Sequence, residues 1–166
     1  MNTRKIFEYA LQREHEGKAF FENNAERLSN AAATQAFKAI AAEEGRHIEF
    51  IQAQLDALDA KGSGMEAPVS SAEDLGEAGF FADRADKEMI EQTVSEAMVA
   101  DLPVLRLAYL IERDFAEFYH QAASKAEGDA KKVLEFLARW EEGHERLFKA
   151  LHDQAFENYV QMPWGG

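Results

Sequence analysis

Two short motifs place a carboxylate and an imidazole three residues apart. Glu44 and His47 form the first Glu-x-x-His pair, and Glu141 and His144 form the second. Residues three apart share one face of a helix, so each pair would present both groups to the same layer of a helical protein. Because carboxylate and imidazole are common ligands of divalent metals, the first chemistry that the motifs predict is metal binding.

Two further glutamates extend this pattern. Glu14 and Glu112 each follow an alanine by four residues and precede an aromatic pair by six and seven. They lie 98 residues apart, while the two Glu-x-x-His motifs lie 97 residues apart. The chain therefore repeats a unit that carries one lone glutamate and one Glu-x-x-His. Six side chains are predicted to converge on one interior site: Glu14, Glu44, His47, Glu112, Glu141 and His144.

The charges of this set favour a metal pair over a metal-free core. Four ionised glutamates in an apolar layer would have to take up protons or find cations. No lysine or arginine occupies the matching positions, whereas two divalent cations would balance four carboxylates. Carboxylates that bridge two metals, with one imidazole for each metal, need these residue types in these numbers.

Four long amphipathic segments must position these residues. On the helix that carries the first motif, the apolar stripe runs from Phe37 to Leu58 and is interrupted only by Glu44 and His47. Asp101 and Pro103 are typical of a cap and an early helical proline at the start of the third helix. The predicted helices cover about 3–29, 32–61, 103–126 and 129–159.

The connection between the second and third helices is long. A stretch rich in Gly, Ser, Pro and Ala covers 62–79, and a further helical pattern begins near Asp86. About 40 residues are enough to travel the length of a bundle and carry a helix of their own. The sequence predicts an all-α fold and a single domain over 1–166. This domain would be a four-helix bundle of two helical hairpins, joined by a long crossover that contains an extra helix.

The composition limits the partners. A net charge of −13 would repel phosphate backbones, so no nucleic-acid partner is expected. No apolar run reaches the roughly 20 residues of a membrane span, and the N-terminal residues lack the pattern of a signal peptide. The sequence has no cysteine, which excludes disulfides and thiolate ligands. We expect a cytoplasmic protein that does not contact a membrane.

The quoted residues resemble the rubrerythrin branch of the ferritin-like di-iron carboxylate proteins. The likeness rests on E14-x6-F21, E44-G-R-H47, E112-x6-Y119 and E141-E-G-H144. It implies a ferritin-like bundle in which the six residues named above hold two iron ions. Glu44 and Glu141 would bridge the irons, and Glu14 and Glu112 would be terminal ligands. Manganese or zinc also suits this donor set.

The chain departs from the rubrerythrin pattern at three points, one of which is the long crossover described above. Rubrerythrins often carry a cysteine-bound rubredoxin domain that supplies electrons, and this sequence has no cysteine. They also tend to place an extra glutamate one turn after the ligand of the third helix, where this chain has Phe115. An external electron donor, or Fe(II) itself, would then supply the electrons.

The resemblance implies a di-iron oxidoreductase that reduces peroxide or O2. The alternatives are an iron-storage protein of ferritin type and a di-iron oxygenase that acts on an organic substrate. A homodimer or a higher homo-oligomer is expected. Tyr119 lies two turns from Glu112 and could donate a hydrogen bond in the site. Glu43 would act outside the ligand set. No role is predicted for His15, His120 or His152.

Overall fold

Four α-helices form the described part of the molecule. The computed structural model describes residues 3–61 and 100–162. Within these ranges the helices are α1 (Thr3–Ala25), α2 (Ala31–Lys61), α3 (Leu102–Ser124) and α4 (Gly128–Gln161). The predicted all-α four-helix bundle is confirmed. The predicted connection over 62–79 and the helix near Asp86 lie outside the described residues.

The helices pack most closely as two sequential pairs, α1 with α2 and α3 with α4. The connections within these pairs cover only 26–30 and 125–127, so each pair is an antiparallel hairpin. Gly128 adopts a φ of 61° at the start of α4, a left-handed conformation that glycine reaches without a steric penalty. Gly128 therefore allows the tight turn between α3 and α4.

The end of α1 differs from its prediction. The helix ends at Ala25 rather than near residue 29, because the following residues serve the start of α2. The Asn30 side chain accepts hydrogen bonds from the backbone N–H groups of Ala32 (2.8 Å) and Ala33 (3.2 Å). Asn30 is therefore the N-terminal cap of α2, which requires the chain to leave the first helix before it.

The role of Asp101 also differs from its prediction. Asp101 precedes α3 and Pro103 lies in its first turn, but the Asp101 side chain makes no capping hydrogen bond to its own helix. Its carboxylate instead accepts the N–H groups of Ser29 (2.8 Å) and Asn30 (3.0 Å). These donors are left over by the α1–α2 turn, so Asp101 joins the two hairpins at one end of the bundle.

Two apolar clusters fill the bundle on either side of the predicted site. The Phe37 cluster contains one large residue from each of the helices α1 to α4, together with smaller residues. In helix order the large residues are Phe21, Phe37, Leu105 and Phe148. The Leu134 cluster holds Phe7, Ile51, Tyr119 and Leu134 in the same way. On every helix the predicted metal ligands lie in sequence between the members of the two clusters. The polar residues therefore form a separate layer in the middle of the core, which we call the carboxylate layer.

None of the helices within 3–61 and 100–162 combines the length and the apolar character that a membrane crossing requires.

Candidate metal centre

The structure brings all six predicted ligands together in the carboxylate layer. Their side chains are at most 1% exposed, although all of them are polar and titratable. Each helix contributes either one glutamate or one Glu-x-x-His pair, and the near-equal separations of 30 and 29 residues within the hairpins bring each lone glutamate level with the motif on its partner helix. The members of the layer are Glu14, Glu44, His47, Glu112, Glu141 and His144.

One group of ligand atoms surrounds the His47 ring. Its Nδ1 lies 3.0 Å from Glu14 Oε2, 3.4 Å from Glu44 Oε2 and 2.9 Å from Glu141 Oε1. One donor atom from each of these four residues lies within 4.8 Å of the others. We call this set the His47 group, and its spacing is suitable for one metal ion.

A second group surrounds the His144 ring in the same way. Its Nδ1 lies 3.4 Å from Glu44 Oε1, 3.5 Å from Glu112 Oε2 and 3.2 Å from Glu141 Oε2. This His144 group also fits within 4.8 Å. Glu44 and Glu141 belong to both groups and use a different oxygen in each, which is the arrangement that bridging carboxylates require.

The layer lacks the hydrogen bonds that buried polar atoms normally have. Neither oxygen of Glu44, Glu112 or Glu141 has a hydrogen-bond partner of acceptable geometry among the described residues, and neither does His144 Nδ1. No lysine or arginine within these residues forms an ion pair with any of the three glutamates. Because unsatisfied buried carboxylates are strongly unfavourable, these atoms fit a pair of metal cations.

Burial changes the protonation of the two terminal glutamates. Burial is the largest influence on the pKa of Glu14, and the nearby Glu44 carboxylate acts in the same direction, so the pKa rises from 4.5 to about 8. Burial also raises the pKa of Glu112 well above its ordinary value, although His144 opposes the rise. Both carboxyl groups therefore tend to hold a proton when no metal is bound.

The bridging glutamates and the histidines respond in the opposite way. Burial works to raise the pKa of Glu44 and of Glu141, but the nearby His47 and His144 imidazoles outweigh it and lower both values. Burial works to lower the pKa of His47 and of His144, but the surrounding carboxylates raise both values well above 6.5. The metal-free layer thus balances its charge with protons, which a metal pair would displace.

Glu43 and Trp140 support one of the two histidines. Glu43 Oε2 accepts hydrogen bonds from His144 Nε2 (2.9 Å) and from Trp140 Nε1 (3.1 Å). Glu43 Oε1 lies 3.4 Å from the Arg46 guanidinium, which partly balances the buried charge. As the sequence predicts, Glu43 lies outside the two groups. The sequence analysis does not predict the contact of Trp140 with Glu43. The signal for it is that position 140 is the repeat counterpart of position 43.

Tyr119 supports one of the two terminal glutamates. Its ring is buried in the Leu134 cluster, and its hydroxyl donates a hydrogen bond to Glu14 Oε1. The repeat places Phe21 at the corresponding position, and phenylalanine has no hydroxyl to offer Glu112. The hydrogen bond that the sequence suggests for Tyr119 is therefore present, but it reaches a glutamate of the other hairpin.

Phe115 lies beside the layer, one turn after Glu112 on α3. A Cβ atom on Gly17 would lie only 2.9 Å from the Phe115 ring and 3.9 Å from Glu44 Oε2. The Arg13 guanidinium lies over the same ring, 4.7 Å from its centroid. The helical glycine thus makes room for the aromatic ring, and the ring closes this side of the layer with an apolar surface.

The three remaining histidines lie away from the layer. His15 is exposed, and His120 is exposed with its Nε2 2.7 Å from Glu142. His152 is partly buried between the Tyr109 and Phe156 rings. None of them belongs to either group of candidate ligands.

Comparison with known protein families agrees with this geometry. A family model for rubrerythrin matches residues 5–152, which include all six candidate ligands. The chain belongs to the rubrerythrin family. The family and the buried cluster together indicate a di-iron protein. Comparison with curated proteins gave no match, and comparison with solved structures gave none.

Proposed function

We propose that the protein is a di-iron oxidoreductase that oxidises Fe(II) or an external donor with peroxide or O2. The observation that carries the proposal is the pair of four-residue groups that share Glu44 and Glu141. Two redox metals held by common carboxylates can exchange two electrons with one small oxidant, and this is the chemistry that the metal pair supplies when bound.

In this proposal the six residues of the carboxylate layer are the metal ligands. Glu44 and Glu141 belong to both groups and would be shared by the two metals, and each histidine would offer Nδ1, the atom that faces the carboxylates. Glu14 and Glu112 complete the two groups from α1 and α3. Iron is the metal in our proposal, although manganese and zinc suit the same donors.

The surrounding residues control water and protons. The Phe37 and Leu134 clusters close the layer along the bundle axis, and Phe115 closes it on one side. Tyr119 holds Glu14 by its hydroxyl and places an O–H beside the His47 group. A dry layer keeps small oxidants in contact with the ligand set while it excludes bulk water.

The electrons come from outside the layer. These 166 residues include no cysteine to hold a rubredoxin-type iron, so in this proposal the electron donor lies outside them or is Fe(II) itself. A single domain, a cytoplasmic location and a homodimer or higher homo-oligomer remain predictions from the sequence.

Anaerobic iron loading tests the proposal. We expect two Fe(II) ions per chain, and we expect the near-ultraviolet absorption of oxidised iron to appear on addition of O2 or peroxide. The double variant Glu44→Ala and Glu141→Ala should bind no metal pair. Glu142→Ala is the matched control, because Glu142 neighbours Glu141 but lies at the surface beside His120.

Three kinds of outcome would contradict different parts of the proposal. Fewer than two metals per chain, or metal binding that survives the double variant, would show that the site assignment is wrong. If two iron ions bind but neither O2 nor peroxide oxidises them, the redox role is wrong and the site assignment remains. A very large assembly filled with iron would favour storage instead.

A further inference from the structure

The two halves of the repeat differ at one pair of positions that meet in space. Position 43 and position 140 are 97 residues apart and therefore correspond in the repeat, yet one holds glutamate and the other tryptophan. Their side chains contact each other, because Trp140 Nε1 donates to Glu43 Oε2 at 3.1 Å. The two metal groups consequently have different neighbours.

His144 is held in the orientation that a metal needs. Its Nε2 donates to Glu43 Oε2 at 2.9 Å, which keeps a proton on Nε2 and makes Nδ1 the nitrogen that is left for a metal. Nδ1 is the atom that faces Glu44, Glu112 and Glu141. A carboxylate behind a ligating imidazole fixes the tautomer and the ring orientation and makes the ligand more basic.

His47 has no such support. Its Nε2 is buried without a hydrogen-bond partner among the described residues, and the Trp140 ring lies against it with the centroids 4.1 Å apart. Its Nδ1 instead makes a hydrogen bond with Glu14 Oε2. Metal binding through Nδ1 would leave the N–H on Nε2 buried without a hydrogen-bond acceptor among the described residues.

The terminal glutamates add to this difference. Glu14 has one oxygen occupied by the Tyr119 hydroxyl and the other by His47, whereas neither oxygen of Glu112 has a hydrogen-bond partner within the described residues. Glu112 can therefore offer both oxygens to a metal without breaking a hydrogen bond. The two unshared ligands of the His144 group, His144 and Glu112, are thus better prepared to bind a metal than their counterparts His47 and Glu14.

We propose that the two metal positions are unequal and that the His144 group binds the first divalent metal. Glu43 is the positioning residue that creates the difference, because it orients His144 without belonging to either group. Loss of such an outer partner lowers metal affinity by roughly 10- to 100-fold, and we expect a difference of this size between the two positions. The inference rests on the metal site of the proposed function.

Co(II) binding to the full chain under anaerobic conditions tests the order of filling. We expect the wild-type protein to bind its first Co(II) roughly 10- to 100-fold more tightly than its second, as measured by competition with a coloured chelator. Anomalous diffraction from crystals with one Co(II) per chain should place the ion in the His144 group. Equal affinities, or an ion in the His47 group, would overturn the inference.

Single-position variants measure each group separately. Glu14→Ala removes a ligand of the His47 group alone, and Glu112→Ala removes a ligand of the His144 group alone. We expect Glu14→Ala to retain the tighter Co(II) position and Glu112→Ala to retain the weaker one. The opposite order would contradict the proposal.

Substitution of Glu43 tests its role in positioning. Adding Glu43→Leu to Glu14→Ala should weaken the remaining position by roughly 10- to 100-fold, and adding it to Glu112→Ala should change the affinity little. Glu43→Gln keeps an acceptor oxygen and should restore part of the loss. Trp140→Phe is the control, because it removes the other hydrogen bond to Glu43 and leaves the bond from His144 intact.

The outcomes separate this inference from the proposed function. If the wild-type protein binds no pair of metals, the proposed site is wrong and the inference is wrong with it. If it binds two metals with equal affinity, only the inference is wrong. Should a Glu43 variant fail to fold by circular dichroism, the wild-type titration and diffraction still decide the order of filling.

Discussion

The carboxylate layer and the Phe37 cluster are neighbours in one core, but they contribute to stability in opposite ways. In the Phe37 cluster, the Phe21 and Phe148 rings stack at 5.2 Å and Phe37 meets both edge-on. Such packing stabilises the folded chain with no other component. In the carboxylate layer, most oxygens have no hydrogen-bond partner among the described residues, so this layer depends on something that the chain does not supply.

A helical bundle can contain a functional layer that does not itself stabilise the fold. Apolar clusters on both sides hold the four helices in place while the middle layer remains unsatisfied. The apolar clusters should therefore determine the stability of the metal-free protein, and the carboxylate layer should determine how that stability responds to metal and to pH. Four predictions test this difference.

The largest effect of a single substitution is expected in the apolar cluster. Phe37→Ala should lower the free energy of unfolding by about 3–5 kcal/mol, because it opens a cavity among buried rings. Denaturant unfolding of the metal-free protein measures the change. The exposed Phe156→Ala serves as the control and should change stability by less than about 1 kcal/mol. If Phe37→Ala also changed the free energy of unfolding by less than about 1 kcal/mol, this cluster would not hold the bundle together.

Metal should stabilise the protein through the carboxylate layer alone. A free metal concentration 1,000 times the dissociation constant should raise the free energy of unfolding by about 4 kcal/mol per site, and a chelator should reverse the rise. Thermal unfolding with and without Co(II) measures the change. The double variant Glu44→Ala and Glu141→Ala should show no increase. An equal increase in that variant would place the metal elsewhere in the chain.

The protonation of Glu14 should make stability depend on pH in the metal-free protein. Its pKa is about 8 in the folded chain and 4.5 ordinarily, so the folded state keeps a proton that the unfolded state releases. This contribution is present below pH 4.5 and is lost as the pH rises to about 8. Relative to Glu14→Gln, which cannot ionise, the wild-type protein should lose a few kcal/mol across that range.

Denaturant unfolding at several pH values measures the difference between the two curves. The exposed Glu22→Gln is the control and should follow the wild-type curve. Parallel curves for Glu14→Gln and the wild-type protein would mean that folding does not raise the pKa of Glu14.

The smallest effect concerns a buried carboxylate that already has its donors. Asp101 is 3% exposed, but it accepts backbone N–H groups from Ser29 and Asn30. Asp101→Ala should lower the free energy of unfolding by about 1–2 kcal/mol, because it leaves these donors unsatisfied. Asp101→Asn keeps one acceptor oxygen and should lose less. For both variants the loss of unfolding free energy relative to the wild-type protein should be the same with and without added metal. A loss that depends on metal would link Asp101 to the carboxylate layer.

The sequence predicts the ligand set because helical periodicity and the repeat are both local in sequence. Glu44 and His47 interrupt an otherwise apolar stripe, and their counterparts 97 residues later do the same. These patterns need no knowledge of how the hairpins meet. For the same reason they give the all-α bundle and the helix bounds to within a few residues, except at the end of α1.

The features that the sequence did not give depend on contacts between distant residues. The early end of α1 follows from the need of Asn30 to cap α2 and from Asp101, which is 71 residues away. The partner of Tyr119 depends on which hairpin its hydroxyl faces. The hydrogen bonds of Glu43 depend on a tryptophan of the opposite hairpin. Spacing along one helix contains no information about such contacts.

The contacts between repeat counterparts have a consequence for how the chain is built. Glu43 meets Trp140, and Gly17 makes room for Phe115, so each pair joins positions that correspond in the two hairpins. If two identical hairpins assembled as a symmetric dimer, both members of each pair would be the same residue. Two glutamates or two tryptophans would then have to share the space at positions 43 and 140. Joining both hairpins in one chain removes this constraint, and the chain can combine a large residue with a small one and an acceptor with a donor.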